Sequence, residues 1–228
     1  MSKLKFNKKK HLYTIDNIEL KSVTTYISEL FEPFDAKVVA KKLASFPINK
    51  QQKKGVRYWL KKWKKTQEDG TLIHNEIDAY IKSDGNSEMS LPKSISAERF
   101  IKINDLLNKS LQSEVQIYSL KLKLAGTVDA IYYNSDGTYT LIDWKTSEKI
   151  EKESYKNRKG IHNATKHIPD SNYWHYAIQL NLYKKILESE YNMKVSELLL
   201  IHLQDTSCYV YSIPLMEDII KKLEEDLK

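Results

Sequence analysis

The alternation of apolar and polar residues near the start of the chain predicts a hairpin followed by helices. Residues 12–18 alternate around a turn near Asp16-Asn17, as in two short antiparallel strands. Ser22 suits the N-cap of a short helix. Apolar residues then recur at helical spacing over residues 35–46, and Pro47 ends that element.

A second helix, predicted over residues 50–65, combines one apolar stripe with a wide basic face. Lysines cover much of its surface, which more often indicates a core-packed helix with a solvated face than a phosphate-binding one. Gly70 predicts a break, after which Thr71 caps a helix to residue 81, and residues 95–111 predict another. The apolar stripe of the helix predicted over residues 50–65 recurs at i, i+3, i+4 and i+7 and consists of Val56, Trp59, Leu60 and Trp63.

The apolar period changes from helical to two in the second half of the chain. The polar, basic stretch 149–171 has no period and predicts a long loop. A helix over residues 172–190 is followed by two strands, 198–204 and 209–213, and by an amphipathic helix after Pro214. The order of elements predicts a mixed α/β fold. Three consecutive strands form a predicted antiparallel meander: residues 115–120, 124–133 and 138–144.

Composition favours one domain with a polyanionic partner. The chain has 228 residues, of which 41% are hydrophobic, enough for one substantial core. The formal net charge is +7 and comes almost entirely from lysine. Only Arg57, Arg99 and Arg158 could read base edges with a bidentate guanidinium, so the charge favours contact with a nucleic-acid backbone.

Cysteine content and hydropathy restrict the location of the protein. The single cysteine, Cys208, excludes an internal disulfide and a four-thiolate iron–sulfur cluster. The absence of disulfides favours a reducing intracellular compartment, which is the cytoplasm, or a host cell for a viral protein. The mitochondrion and the nucleus are left open. Neither a bilayer-spanning stretch nor a secretory signal is apparent, so a soluble protein without membrane contact is expected. The lysine run 8–10 is interpreted as ordinary surface.

Three ionisable residues lie inside apolar strands. Residues 125–130 read AGTVDA and residues 141–147 read LIDWKTS. Asp143 and Lys145 are two apart on a strand, so their side chains project from the same face of the sheet. Whether Asp129 shares that face depends on the connection between the two strands.

The connection contains a glycine at a position that sets the register. Ser135-Asp136-Gly137 suits a three-residue hairpin loop with glycine in the left-handed region, which pairs Asn134 with Thr138. Counting back places Asp129 directly opposite Asp143, whereas a loop of two or four residues would put the carboxylates on opposite faces.

Two carboxylates beside a lysine on a partly apolar face repel each other unless a cation lies between them. Mg²⁺ or Mn²⁺ suits such oxygen ligands, and could activate water for attack on a phosphoryl group. Lys145 would orient that water or neutralise charge on phosphorus. The alternative is an ion pair of Asp143 and Lys145 at a strand end, with Asp129 in a turn. The shared register makes this interpretation the weaker one.

GTVDAIYYN followed by TLIDWKTS resembles the core of the PD-(D/E)xK nucleases, in the RecB-like exonuclease branch. Three further segments resemble motifs of that branch: residues 70–74 (GTLIH), 179–183 (QLNLY) and 22–25 (SVTT), the last as in mitochondrial genome-maintenance exonucleases and related phage and viral enzymes. The resemblance implies a restriction-endonuclease-like core: a central mixed sheet flanked by helices, with an N-terminal helical elaboration.

The resemblance also implies function. It indicates a Mg²⁺- or Mn²⁺-dependent exonuclease acting on single-stranded or end-presenting DNA in replication, recombination or repair, with no small-molecule cofactor. A single domain, 1–228, is expected, with a hairpin and basic helices in 1–70 and the nuclease core in 71–228. The loop 151–169 is either a lid over single-stranded substrate, with Tyr155 stacking on bases, or a disordered surface loop.

Residue roles are carried over position by position. Helical spacing, and not the resemblance, places Asp78 one turn after His74, where it could orient the imidazole, and the role of His175 is open. The implied catalytic residues are Asp129, Asp143, Lys145, Gln179 and Tyr183. The implied metal ligands are His74, Asp129, Asp143, the backbone carbonyl of Trp144 and, most weakly, Glu114. The expected nucleic-acid contacts are Lys53, Arg57, Lys61, Lys64, Lys156, Arg158, Lys159, Thr146, Ser22 and Thr24.

Three alternatives remain open from the sequence. A structure-specific or restriction-type endonuclease would share the same centre, and would cut a circular single strand that an obligate exonuclease leaves intact. A non-catalytic nucleic-acid-binding module would show no divalent-ion site. A membrane-surface protein that uses the basic helix would bind liposomes, but this explains none of the carboxylates.

Overall fold

The computed structural model describes residues 4–7, 12–45 and 54–227, which form an eight-stranded mixed sheet flanked by helices. The predicted fold class is confirmed. The strands are β1 Lys5–Asn7, β2 Leu12–Ile15, β3 Ile18–Ser22, β4 Gln112–Ser119, β5 Leu124–Tyr133, β6 Tyr139–Lys145, β7 Val195–Leu203 and β8 Cys208–Ser212. The helices are α1 Val23–Glu29, α2 Ala36–Ser45, α3 Val56–Lys82, α4 Pro92–Ile103, α5 Asn172–Glu190 and α6 Glu217–Leu227.

The sheet opens into a fork along one edge of β5. On the opposite edge, β4 pairs antiparallel with β5 over most of its length. The forked edge pairs with β3 only at Leu124 and Ala125, and with β6 only from Ala130 to Tyr133. Among the described strands, none pairs with this edge of β5 over residues 126–129. Backbone and side chains at the fork are therefore accessible to a ligand.

The hairpin between β5 and β6 has the predicted register. The Asn134 N–H donates to the Thr138 carbonyl (2.8 Å), and Gly137 has φ +85°. The ladder runs from Tyr133–Tyr139 to Ala130–Ile142. Continuing it by one residue pairs Asp129 with Asp143, so alternation places both on the same face of the sheet.

Two cores cover the two faces of the sheet. Leu141 of β6 belongs to the core formed with α1, α5 and α6, whereas Ile142 and Trp144 belong to the core formed with α3 and α4. Asp143 shares the face of Leu141 and therefore points toward α5. It is an acidic residue in an otherwise apolar layer, with 2% of its surface exposed.

The predicted break at Gly70 is wrong, because α3 is one helix of 27 residues. A β-carbon at Gly70 would lie 3.0 Å from the Thr146 hydroxyl, so glycine lets the helix pass close to the end of β6. The Thr71 hydroxyl donates to the Gln67 carbonyl (3.0 Å) and caps no helix. A glycine inside a helix costs only about 1 kcal/mol, which burial of Ile73 and Ile77 offsets. The predicted boundary between 1–70 and 71–228 therefore falls within a helix.

Helix α4 begins earlier and ends earlier than predicted. Pro92 occupies its first turn, where the missing N–H costs nothing. The left-handed Asp105 (φ 51°) follows its end, and a 3₁₀ turn, Leu107–Lys109, connects it to β4. The turn at Asp16-Asn17, the Ser22 cap and the bounds of α5 agree with prediction.

The segment from residue 149 to 171 is irregular, as predicted, but its second half is anchored. The Ile161 N–H and the Thr165 hydroxyl both donate to the Leu30 carbonyl at the end of α1 (2.9 and 3.0 Å). Ala164 and Ile168 are buried. This part of the segment is a packed strap, not a disordered loop.

Several predictions fall outside the part of the chain that the structure describes. They are the lysine run 8–10, the helix end at Phe46 and Pro47, the start of the helix predicted from residue 50, and the contact residue Lys53. Within the described ranges, no helix has both the length and the apolar character needed to cross a bilayer.

Candidate active site

The fork in the sheet holds the three ionisable residues that the sequence singled out. Lys145 Nζ lies 2.8 Å from Oδ1 and 2.6 Å from Oδ2 of the buried Asp143. Asp129 Oδ2 accepts a hydrogen bond from the Trp144 N–H (2.9 Å). That bond ties β5 to β6 just beyond their ladder, so the fork begins at the two carboxylates.

A second group of donor atoms adjoins Asp129. His74 Nδ1 lies 3.8 Å from Asp129 Oδ2 and 4.0 Å from Glu114 Oε1. One atom from each residue lies within 4.8 Å of the other two, and the set of one imidazole nitrogen with carboxylate oxygens suits Mn²⁺ or Mg²⁺. These residues fit a divalent cation.

The His74 ring is held by the backbone of β6. Its Nε2 lies 3.0 Å from the Trp144 carbonyl oxygen, an acceptor, which assigns the proton to Nε2 and leaves the Nδ1 lone pair toward the carboxylates. The predicted role of Asp78 as orienting partner is wrong: its oxygens accept from Ser113 Oγ (2.6 Å) and Lys82 Nζ (2.8 Å). The Trp144 carbonyl as a metal ligand stays a prediction.

Glu114, the weakest of the predicted ligands, adopts a strained backbone conformation. Its φ is +50°, in the left-handed region, although it lies within β4. The ladder pairs Ser113 and Val115 with β5 and skips the pair of Glu114 and Asp129. Such a conformation costs about 1–3 kcal/mol and persists only where surrounding structure imposes it, most often at functional sites.

Burial and the charge of Asp129 raise the pKa values of Glu114 and Asp143. The pKa of Glu114 rises to about 7, mainly through burial and then through the charge of Asp129. Burial also raises the pKa of Asp143, against the opposing effect of Lys145. Burial disfavours the Lys145 ammonium, but Asp143 and Asp129 more than offset it and raise the pKa of that amine. A cation among the carboxylates would relieve their repulsion.

Helix α5 contributes the polar groups that close the site. Gln179 Nε2 donates to Asp143 Oδ1 (2.9 Å). The buried Tyr183 hydroxyl accepts from the Thr127 N–H, and burial raises its pKa well above the ordinary value. The Tyr176 ring lies 4.5 Å from Lys145 Nζ, a contact that the sequence analysis missed. Its position one turn before Gln179 was the available signal.

Comparison with known proteins identifies the family. The family model described as the PD-(D/E)XK nuclease superfamily matches residues 25–226, most of the chain. The chain belongs to the PD-(D/E)XK nuclease superfamily. The nucleases of this superfamily use divalent metal ions.

Two solved structures are similar to this nuclease. The crystal structure of SSO0001 is 20% identical with a TM-score of 0.33, and the match covers 58% of this chain and 54% of that one, so the nuclease spans about half of its length. The crystal structure of "Putative exonuclease" from Eubacterium rectale is 13% identical with a TM-score of 0.47, and the match covers 90% of this chain and 77% of that one. No curated protein sequence matches the nuclease.

A cleft of about 560 Å³ lies over the carboxylates of the nuclease. Ser22 and Thr24, at the start of α1, line it together with Asp129 and Lys145. Both were predicted to contact nucleic acid, and the structure brings them to the site. Thr146 instead lines a neighbouring cavity between α3 and α4, where Lys93 Nζ donates to its carbonyl (2.6 Å).

The other predicted contact residues lie outside this cleft. Arg57, Lys61 and Lys64 are exposed on the N-terminal half of α3. Lys64 is within 3.5 Å of Glu68, a surface ion pair of little energetic weight. Lys156 and Lys159 are exposed in the first half of the segment from residue 149 to 171.

Arg158 and His175 both contact Asp170, which lies just before α5. The Arg158 guanidinium lies 2.8 Å from Asp170 Oδ2, and His175 Nε2 lies 3.1 Å from Asp170 Oδ1. The His175 ring packs on Phe31, with ring centroids 4.1 Å apart. Burial lowers the pKa of His175, with Asp170 opposing. His175 thus contacts the strap, whereas Gln179 contacts the carboxylates.

Proposed function

We propose that this nuclease is a metal-dependent deoxyribonuclease of the RecB-like branch. It would remove nucleotides from single-stranded or end-presenting DNA, in replication, recombination or repair. The observation that carries the proposal is the juxtaposition at the fork: Asp129 and Asp143 on one face, Lys145 between Asp143 and the cleft, and a third acid and an imidazole beside Asp129.

The positions of the donor atoms support a set of residues that would hold the ion. His74, Glu114 and Asp129 form one group, and Asp143 lies next to Asp129 across the strands. A bound Mg²⁺ or Mn²⁺ supplies polarisation of the phosphoryl oxygen and lowers the pKa of water. The resemblance adds the Trp144 carbonyl to this set of proposed ligands.

The protein's own groups have separable tasks in the proposed reaction. Lys145 keeps its proton, because the neighbouring carboxylates outweigh its burial, and stabilises negative charge that develops on phosphorus. Gln179 fixes the orientation of Asp143 through its amide hydrogen bond. Tyr183 fills the space beside Gly126 and holds β5 in place at the fork.

The test is a time course on end-labelled oligonucleotides. Single-stranded and double-stranded DNA of the same sequence are incubated with Mg²⁺, with Mn²⁺, and with chelator. Short labelled products that appear only with metal, and earlier on the single strand, are expected. Cleavage in the presence of chelator would contradict the metal requirement.

A circular single strand then separates exonuclease from endonuclease activity. The proposal predicts that the circle remains intact under conditions that degrade the linear form of the same sequence. Linearised circles would show that the nuclease cuts internally, and faster loss of duplex than of single strand would contradict the proposed substrate. An RNA strand of the same sequence tests the preference for DNA.

A further inference from the structure

The N-terminal hairpin places an aromatic pair beside the fork. Phe6 of β1 and Tyr13 of β2 are direct cross-strand partners, with ring centroids 4.4 Å apart and planes 30° apart. The Tyr13 hydroxyl lies 3.0 Å from Thr127 Oγ1. Thr127 is two residues before Asp129 on the same strand, so this contact fixes the pair relative to the carboxylates.

The aromatic pair and the proposed catalytic groups line one cleft. Phe6 and Tyr13 form part of the same wall as Thr127, in a space that also contacts Asp129 and Lys145. Its volume of about 560 Å³ lies within the range of pockets that hold small organic ligands, about 300–1,000 Å³. If the scissile phosphate binds at the carboxylates, the nucleoside attached to it would therefore contact the wall that Phe6 and Tyr13 form.

An aromatic wall has a definite preference among nucleotides. A nucleobase stacks on Phe or Tyr through its flat face, whatever its sequence, and loses that option when both faces are covered inside a duplex. The chain has only three arginines, so bidentate reading of base edges has few candidates. An aromatic wall and few arginines together favour a nucleobase that is bound by stacking and is not identified by its hydrogen-bonding edge.

We propose that Phe6, backed by Tyr13, is a stacking subsite for one unpaired nucleobase next to the scissile phosphate. The inference rests on the proposed function, because it takes the carboxylates as the position of the phosphate. It adds a substrate requirement: the nucleotide in the cleft is single-stranded, and its base is bound without regard to identity.

The test measures binding of a labelled single-stranded oligonucleotide in Ca²⁺, with one abasic site moved along the strand. For the wild-type protein, one position should weaken binding by about tenfold, the size expected from losing one stacked base. In Phe6→Leu, the intact strand should bind about tenfold more weakly, and the abasic site should cause no further loss. Phe6→Trp should bind like the wild type.

Controls separate stacking from folding. Tyr209→Leu removes another exposed aromatic ring, on β8, and should leave binding unchanged. Phe6 packs partly on the small core of Leu20 and Ala125, so thermal unfolding of each variant is compared. The scan of abasic sites on the wild type needs no variant, and uniform binding along the strand would overturn the proposal even if Phe6→Leu unfolds.

The outcomes also separate this proposal from the proposed function. Normal cleavage by a folded Phe6→Leu variant with unchanged affinity would overturn the stacking subsite and leave hydrolysis intact. Conversely, position-dependent binding that needs Phe6, in a protein that cleaves no DNA with any metal, would support the subsite and contradict the nuclease assignment to DNA.

Discussion

Tyr183 of α5 packs directly on the backbone of Gly126 in β5, and a β-carbon at residue 126 would lie 2.9 Å from the tyrosine hydroxyl oxygen. The ring, which is 4% exposed, therefore occupies the space that any other residue at 126 would need. Glycine is required here for close approach, since no unusual backbone angle is involved.

Adding one methyl group at residue 126 should affect both the stability of the protein and the rate of cleavage. In Gly126→Ala, the methyl group and the Tyr183 ring cannot both keep their positions, so the free energy of unfolding should fall by about 1–3 kcal/mol and cleavage should slow by at least tenfold. Urea unfolding and initial cleavage rates measure the two effects. Tyr183→Phe keeps the ring but removes the acceptor of the Thr127 N–H, so its free energy of unfolding should fall by about 1 kcal/mol. Wild-type behaviour of Gly126→Ala would show that the contact is not tight.

Tyr176 should act on Lys145 through its ring and not its hydroxyl. The ammonium lies 4.5 Å from the ring centroid, and such cation–π contacts contribute about 0.5–2 kcal/mol. Tyr176→Leu should lower kcat by about 2- to 30-fold with little change in KM, whereas Tyr176→Phe should keep most of kcat. Equal losses in both variants would assign the effect to the hydroxyl, and no loss in either would exclude the role.

The donor cluster predicts which substitutions weaken metal binding. Calorimetric titration with Mn²⁺ should give a dissociation constant at least tenfold higher for Glu114→Gln and for His74→Ala than for the wild type, since each loses one of the donor atoms that lie within 4.8 Å. Glu88→Gln removes an exposed acid on the loop after α3 and serves as the matched control. Unchanged Mn²⁺ affinity in Glu114→Gln would remove that residue from the ligand set.

Glu76 gives a pH-dependent prediction away from the site. Its carboxylate accepts from the Ser90 hydroxyl and from the N–H groups of Ser90 and Leu91, ahead of α4. Burial raises its pKa, but these hydrogen bonds outweigh burial and lower it below the ordinary value. A carboxylate whose folded pKa is lowered stabilises the fold above its unfolded pKa and loses that effect as pH falls through the folded pKa.

Glu76→Gln should therefore destabilise the protein more at pH 7 than at pH 3. At pH 7 the free energy of unfolding should fall by about 1 kcal/mol, which is typical of a lost helix-capping interaction. The effect is no larger because the side chain is partly exposed and water screens its charge. Urea unfolding at the two pH values provides the comparison. An equal difference at both would mean that the charge of Glu76 has no part in holding α4.

Local patterns account for what the sequence predicted well. The glycine at 137 and the alternation of β5 and β6 together determine which residues face each other, so the register of Asp129 and Asp143 followed from about twenty consecutive residues. The bounds of α5 and the Ser22 cap are similarly local. Such features need no knowledge of the rest of the chain.

Contacts between distant segments account for the features that the sequence did not predict. Gly70 resembles a helix break, but burial of Ile73 and Ile77 keeps the helix intact, and the glycine leaves room for Thr146, which is 76 residues later in the chain. The left-handed Glu114 and the contact of Tyr13 with Thr127 also depend on tertiary packing. Single-sequence patterns carry no information on which surfaces meet, and so these parts of the candidate site could not be predicted.

The role of Lys145 is tested most directly by comparing Lys145→Ala with wild type on a 5′-labelled single strand in Mn²⁺. Cleavage should fall by at least about 100-fold, as when a charge-stabilising group is removed, while affinity for the strand stays within about threefold. Lys149→Ala, which removes an exposed lysine four residues later, should cleave normally. Cleavage by Lys145→Ala at the wild-type rate would contradict the assignment of the fork as the hydrolytic centre.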